Sequence, residues 1–340
     1  FKIKKRNRIV ILIIGANGFF GNQLQKLFLK KKLNFFPTDI SLNGENFLDI
    51  RNLYSIKEII KKNNIKTIIN CSCEPATCKS KKKLWNTNVK GNLNLIEACL
   101  EFNIKKYIFI STSAIWVKNY KIPVEENERY CPIENYGKSK VKAEIDIKNS
   151  KLNNWTIFRV PMIVSPERLG ILSLLFDLIK SNKNIPLLGT GENILQFIHA
   201  EDLSHCIYLS LNKDEKNIYN VGSEEKISLK ALIEKIIILS NSKSKIILIK
   251  DFGITMILNF LNKLNLSPLN IYHLNMLKYS LTMNSSKIHK NYGFKSRFKT
   301  SDMILEAFFN YKKNLGKNNI NTEITNPIKP GILKLIKLIF

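Results

Sequence analysis

The sequence predicts an α/β fold: a doubly wound parallel sheet with a smaller C-terminal α/β domain. Three observations carry that reading. Short apolar runs alternate with segments of helical period as far as Pro161. A glycine-rich loop joins the first run to the first helix. Beyond Pro161 the alternation fades into amphipathic helices. Alternating strands and helices build a parallel sheet covered on both faces.

RIVILII (8–14) is a β-branched run of buried-strand length. GNQLQKLFLKKK follows with Leu24, Leu27 and Phe28 at helical spacing, and NFFPTD (34–39) is a second short strand. NLYSIKEIIKKN is a helix with Ile56, Ile59 and Ile60 on one face. TIINCS is a strand, NVKGNLNLIEACLEFN a helix and KYIFIST a strand. A helix carrying Tyr136 follows, then the strand WTIFRV. ILSLLFDLIKSN and SLKALIEKIIILSN are amphipathic helices, and FIHAEDLSHCIYLSL and IYNVGS between them return to the first domain.

With 340 residues, 44% of them hydrophobic, the chain has material for a large core and lacks the composition of a disordered protein. The net charge of +27 comes from lysines spread along the whole chain, with no aromatic–basic recognition motif. Drift towards Lys, Asn and Ile, the residues of AT-rich codons, explains that balance better than nucleic-acid binding does. Six cysteines in a chain this long are not a disulfide scaffold, and Cys71, Cys73 and Cys78 in CSCEPATC lack a zinc spacing, so no metal is expected. No stretch reaches the ~18 apolar residues of a membrane span. No signal peptide is evident, and the expected location is cytoplasmic. The chain begins at Phe1 rather than Met, so a few further residues are expected upstream.

In GANGFFG, Gly15, Gly18 and Gly21 have the G-x-x-G-x-x-G spacing between a strand and a helix. Such a loop permits a tight turn and close approach of a pyrophosphate, and the helix behind it offers free N–H groups. Asp39 closes the second strand 18 residues beyond Gly21. A carboxylate there accepts from ribose hydroxyls and repels a 2′-phosphate. No arginine follows within DISLNGEN, which favours NAD over NADP. Asp49 in FLDI either serves the adenine or caps the next helix.

YIFISTSAIW ends an apolar strand in three hydroxyl side chains, at the carboxyl end where a parallel sheet holds its ligands. ENYGKSK then puts Tyr136 four residues before Lys140. On a helix the two share a face, and a nearby ammonium favours the phenolate. The same spacing suits an exposed, charged helix. The order of glycine loop, Asp39, hydroxyl strand and Tyr-x-x-x-Lys supports a working pair.

That order resembles the extended short-chain dehydrogenase/reductase superfamily, the NAD-dependent epimerase/dehydratase family, from about Arg8 to Lys313. The family's serine-or-threonine position falls on Thr112, its Tyr and Lys on Tyr136 and Lys140, its N-x-x-G on Asn88 and Gly91, and its Arg-x-Pro on Arg159 and Pro161. The resemblance implies a Rossmann-type sheet with bound NAD. Its contacts would come from Gly15, Asn17, Gly18, Phe19, Phe20, Gly21, Asp39, Asp49, Ile50, Cys71, Asn88, Tyr136, Lys140 and Pro161. It implies that Tyr136 exchanges a proton with a substrate hydroxyl or carbonyl, that Thr112 aligns the same oxygen, and that Lys140 holds the nicotinamide ribose and lowers the Tyr136 pKa.

The division then expected is an NAD-binding domain over 8–165 with return segments near 197–222, a substrate domain over 166–196 and 223–313, and a polar tail over 314–340. The resemblance also implies a homodimer through the helices containing Asn88–Phe102 and Tyr136–Lys148. The substrate side departs from the pattern. Leu195 and Gln196 stand where the family usually has Arg and Asp, and Met162 where it has Asn. Ser113 and Ala114 replace the Asp-Glu of the dehydratase branch, which argues against 4,6-dehydration.

The expected activity is that of a sugar or nucleotide-sugar epimerase, or a dehydrogenase/reductase. The alternatives are a dehydrogenase of apolar alcohols, like those acting on hydroxysteroids, and a catalytically inactive binding protein. His199 in FIHAED is expected to be structural. The final GILKLIKLIF is a short basic amphipathic stretch, suited either to a membrane surface or to packing on the protein or a partner.

Overall fold

The computed structural model describes residues 10–78, 80–116, 122–166, 172–249 and 277–314. Six strands form one parallel sheet: β1 (Val10–Ile14), β2 (Phe35–Thr38), β3 (Ile65–Asn70), β4 (Lys106–Thr112), β5 (Trp155–Val160) and β10 (Lys216–Asn220). Their order is β10-β5-β4-β3-β1-β2. The winding reverses at β1, which has β2 on one side and β3 on the other, so a crevice opens at its carboxyl end. Pro37 lies in β2, an edge strand, where a missing N–H breaks no ladder. The expected first strand is observed from Val10; Arg8 and Ile9 lie outside the described residues.

Side chains alternate across the sheet and build two cores. Ile11 and Ile13 join Leu24 and Phe28 of α1 (Phe19–Lys30) and Leu203 and Ile207 of α7 (Ala200–Ser210). Leu12 and Ile14 join Ile56 and Ile60 of α2 (Leu53–Asn63), Leu95 of α4 (Asn92–Glu101) and Ala143 of α5 (Asn135–Asn149). The helix expected from residue 88 begins earlier. Lys81–Trp85 is a first turn, α3, and a π-helical segment, Asn86–Gly91, connects it to α4. Its start is a lysine run with no apolar period, and Ser80 caps it by accepting from the Lys83 N–H.

A third core forms the C-terminal part. α6 (Leu172–Lys180), α8 (Leu229–Ser240) and α10 (Thr300–Asn314), which follows the short α9 (Ser286–Tyr292), pack around Phe176, Ile233, Ile236 and Phe308. Beside them run two short ladders, β7 (Ile185–Leu188) with β12 (Ile246–Ile249), and β8 (Ile194–Leu195) with β11 (Ile227–Ser228). β6 (Met162–Val164) pairs with β9 (Phe197–His199), the strand that leads into α7. The joint between the two parts is polar and buried. Asp202 of α7, fully buried, accepts from the Arg297 N–H and Nε, both at 2.9 Å. His199 caps α7 by accepting from the Glu201 N–H, and its ring stacks on Phe298 at 3.9 Å. Residues 315–340 and His273 lie outside the described residues.

At the amino ends of the strands, Lys106 is only 2% exposed and donates to the Asn154 side chain at 2.9 Å and to the Lys213 carbonyl at 2.6 Å. Burial pulls its pKa from 10.5 down to about 8. Between those values the unfolded lysine keeps a proton that the folded one has lost, so stability rises with pH across that window. Lys106→Met is expected to remove the rise. Denaturant unfolding of both proteins at about pH 7 and about pH 10 checks this. An unchanged pH dependence in the variant would contradict it.

Candidate active site

The crevice at β1 holds a cavity of about 390 Å³. Gly15 turns the chain out of β1 at φ +80°, and a Cβ there would lie 2.8 Å from the Ser72 backbone nitrogen. A Cβ on Gly21 would lie 2.1 Å from the Gly15 carbonyl oxygen. Both positions therefore exclude a side chain, and the loop folds flat under the start of α1. Gly18 caps α1 with no side chain, and the first turn carries no acidic residue. Its N–H groups and dipole remain available to an anion such as a pyrophosphate. Gly15, Gly18, Phe19, Phe20 and Gly21 all line the cavity.

Asp39, just past β2, lines the same cavity. Its carboxylate accepts from the Asn17 N–H at 3.2 Å and from the Ser41 N–H and hydroxyl at 2.9 and 2.8 Å. Asn17 does not itself line the cavity; it ties the glycine loop to Asp39 and, through its amide, to Ser41. Asp49 and Ile50 also face the cavity. The alternative of Asp49 as a helix cap does not hold, because Asn52 caps α2 by accepting from the Ser55 N–H. Instead Asp49 is gripped by Arg51, at 2.6 Å to Nη2, and that guanidinium holds its pKa down. Arg51 lies beyond DISLNGEN and also lines the cavity.

Asn88 is buried and not in the cavity wall, although it was expected to touch the cofactor. It accepts from the Glu74 N–H at 2.7 Å and donates to the Glu74 carbonyl and the Ser139 hydroxyl, both at 3.1 Å. It therefore holds the loop after β3 against α5. Its place in the π-helical segment supplies the aim, in keeping with the use of π-turns at functional sites. Gly91 in the same segment leaves room for Ile50, whose side chain a Cβ would meet at 2.6 Å. Cys71 lines the cavity as a thiol, pushed up to about 12 by burial.

Thr112, Tyr136, Lys140 and Pro161 meet on the opposite wall. The Thr112 hydroxyl accepts from the Ala114 N–H at 3.1 Å and keeps its own proton to donate. Tyr136 is half-buried at the first turn of α5. Lys140, 3% exposed, donates to the Ile110 carbonyl at 2.9 Å and lies over the Phe109 ring at 4.6 Å. Burial lowers its pKa. The exposed-helix alternative fails here, since Ser139, Lys140, Ala143 and Glu144 are all buried.

Two residues that the sequence reading passed over place this wall. A Cβ on Gly137 would meet the Ala114 carbonyl oxygen at 2.4 Å, so glycine lets the first turn of α5 press on the end of β4. Glu144 is fully buried. It accepts from the Ser111 hydroxyl at 2.5 Å and the Tyr130 hydroxyl at 2.8 Å, and pairs with Arg159 of β5 at 2.7 Å. Arg159 also donates to the Glu126 carbonyl at 2.7 Å, and its cation lies over Trp116 at 4.9 Å.

On the substrate side, Leu195 is buried in the third core. Gln196 is spent on the backbone: it donates to the Ser223 carbonyl at 2.9 Å and accepts from the Met283 N–H at 2.8 Å. Met162, Ile163 and Val164 line the cavity instead.

The cavity therefore suits a dinucleotide: two glycines let the loop pack flat against its own backbone, the helix start behind it carries no acidic residue, and Asp39 stands on the cavity wall. Asp39→Ala is expected to narrow the preference for NAD over NADP by removing the charge that opposes a 2′-phosphate. Calorimetric titration with each nucleotide reads this directly, and an unchanged ratio of affinities would contradict the role given to Asp39.

Comparison with known proteins agrees with this geometry. The model of the NAD dependent epimerase/dehydratase family matches residues 11–222. The chain is 27% identical over 339 residues to the y4nG protein of Sinorhizobium fredii, covering 96% of this chain and 85% of that one. It is 26% identical over 265 residues to the dTDP-4-dehydro-6-deoxyglucose reductase of Escherichia coli, covering 69% and 83%. Among solved structures, the Bordetella bronchiseptica enzyme WbmG in complex with NAD superposes with a TM-score of 0.74 at 15% identity, covering 92% of this chain and 96% of that one. The UDP-glucose 4-epimerase of Thermotoga maritima with UDP-glucose gives 0.73 at 16% identity, covering 90% and 100%. The chain belongs to the NAD-dependent epimerase/dehydratase family, the extended short-chain dehydrogenase/reductase enzymes, and its cofactor is NAD.

Proposed function

We propose that the chain is an epimerase or dehydrogenase/reductase acting at an alcohol or ketone carbon of a sugar derivative, one linked to a nucleotide. The observation that carries this is the convergence of Thr112, Tyr136 and Lys140 on the cavity framed by the glycine loop and Asp39. NAD bound there supplies the acceptor and donor of a hydride. Tyr136 takes the hydroxyl proton as the carbon is oxidised and returns it on reduction. Thr112 donates to the same oxygen and fixes its direction. Lys140, held by the Ile110 carbonyl, keeps a positive charge one helical turn from Tyr136 and favours its phenolate.

Named relatives support the nucleotide-linked sugar: a UDP-glucose 4-epimerase of Lacticaseibacillus casei, 26% identical over 264 residues, and the Escherichia coli reductase. A second reading has its own observation. Leu195 buried in the core and Met162 at the cavity wall supply neither arginine nor amide to a diphosphate. That favours an apolar alcohol or ketone, the class of the mouse sterol-4-alpha-carboxylate 3-dehydrogenase, 25% identical over 206 residues. A cytoplasmic homodimer remains part of the proposal; the exposed Leu93 and Leu100 on α4 support pairing through that helix. The glycine loop, Asp39 and the return of β10 to the sheet support the division into NAD-binding and substrate domains drawn above.

Tyr136→Phe is expected to lower turnover by roughly 10²–10⁴-fold while NAD affinity stays within about threefold of the parent. Steady-state rates on UDP- and dTDP-sugars, set beside rates on sterol-like ketones, identify the substrate class. A variant that retains full turnover on the accepted substrate would overturn the assignment of Tyr136. Turnover is also expected to fall on the alkaline side at a pH below 10.5, because burial makes Lys140 release its proton early. A pH–rate profile flat up to that value would contradict this role.

A further inference from the structure

The C-terminal part carries a surface that the catalytic reading does not use. α8 buries Leu229, Leu232, Ile233 and Ile236, yet its last turn exposes Ile238 by 71% and Leu239 by 51%. The turn after α8 and the turn after α6 are tied together at this point. The Ser242 hydroxyl donates to the Ile179 carbonyl at 2.6 Å, the Lys243 N–H to the Asn182 side chain at 2.8 Å, and the Ile185 N–H to the Lys245 carbonyl at 2.8 Å. Lys180, Lys183, Lys243 and Lys245 are all exposed in these two turns. Neither IKSNKN (179–184) nor ILSNSKSK (238–245) contains an acidic residue; the nearest acidic group along α8 is Glu234, one turn back.

We propose that this end of the molecule rests on an anionic membrane surface. Exposed aliphatic side chains with exposed lysines in the adjoining turns match the interface of a bilayer, where the chains enter the headgroup layer and the ammonium groups meet lipid phosphates. Lysines alone would not distinguish this face in a chain of +27, but two adjacent aliphatics at its centre do. A second observation points to the same place. The last turns of α10 and α6 are joined by the Tyr311 hydroxyl donating to Asp177, and Phe308 packs on Phe176 at 5.2 Å. The described fold therefore ends within a turn of this contact with α6, and the last ten residues of the sequence read GILKLIKLIF, apolar with lysines at intervals. Among the described residues no helix is long and apolar enough to cross a membrane.

The test uses the full chain with vesicles of phosphatidylcholine alone and of phosphatidylcholine with phosphatidylglycerol, read by co-sedimentation. Binding is expected only with phosphatidylglycerol present. The paired variants Lys183→Glu with Lys243→Glu, and Ile238→Ser with Leu239→Ser, are each expected to weaken it, the first by about fivefold or more per lysine. All these side chains are exposed, so thermal stability and NAD affinity are expected to be unchanged in both variants, which separates this surface from the catalytic reading. Deleting residues 331–340 is expected to weaken binding while leaving it sensitive to both paired variants. Three results would overturn the proposal: no sedimentation with anionic vesicles, sedimentation indifferent to both paired variants, or equally tight retention on DNA, which would mark a general polyanion surface.

Discussion

The arrangement of the candidate active site hangs on one buried ion pair, Glu144 with Arg159. Glu144 lies one helical turn from Lys140 and two from Tyr136 on α5, while Arg159 is the penultimate residue of β5, two residues before Pro161. Ser111, next to Thr112, donates to the same carboxylate. One cluster thus fixes the helix that carries Tyr136 against the strand that carries Thr112 and the strand that leads into Pro161. Two buried charges are expensive to desolvate, and removing one partner of such a pair typically costs about 3–5 kcal/mol. Here the expense is offset by hydrogen bonds to nearly every polar atom. The carboxylate receives Ser111, Tyr130 and Arg159, and the guanidinium also reaches the Glu126 carbonyl. A buried pair of this kind acts as a register device more than as a source of stability.

The rest of the cavity follows from how the sheet is wound. Because the order reverses at β1, the glycine loop, Asp39 and the loop after β3 all open on one crevice. The hydroxyl end of β4 faces them from across it. At Gly21 under the loop and Gly137 on Ala114 a side chain would meet backbone, and at Gly91 it would meet the side chain of Ile50. The NAD side is therefore tightly specified by backbone approach. The substrate side is not. Leu195 and Gln196 are committed to holding the C-terminal part together.

Much of this was legible in the sequence, because the signals are local. The glycine loop, the Asp39 strand end and the Tyr-x-x-x-Lys helix each declare themselves within a few residues. What escaped is tertiary. Glu144 stands four residues from Lys140, the spacing of a solvated surface pair, and only the fold reveals that both are buried and bonded to the end of β4, Glu144 to β5 as well. Gly137 reads as a helix-weakening residue until the Ala114 carbonyl is seen against it. Asn88, expected as a cofactor contact, braces the loop after β3, because the π-helical segment turns its amide towards Glu74. The short ladders of the C-terminal part are two to four residues long and carry no period to detect.

The central claim is that the Glu144–Arg159 pair sets the reacting geometry without touching the cofactor. Glu144→Gln keeps the size and a hydrogen-bonding head while removing the charge. Its turnover and its NAD affinity, measured on the same folded preparation, test the claim most directly. The account predicts a turnover lowered by up to roughly 10²-fold through misplacement of Tyr136, with NAD affinity nearly unchanged. Turnover equal to that of the parent protein would contradict it.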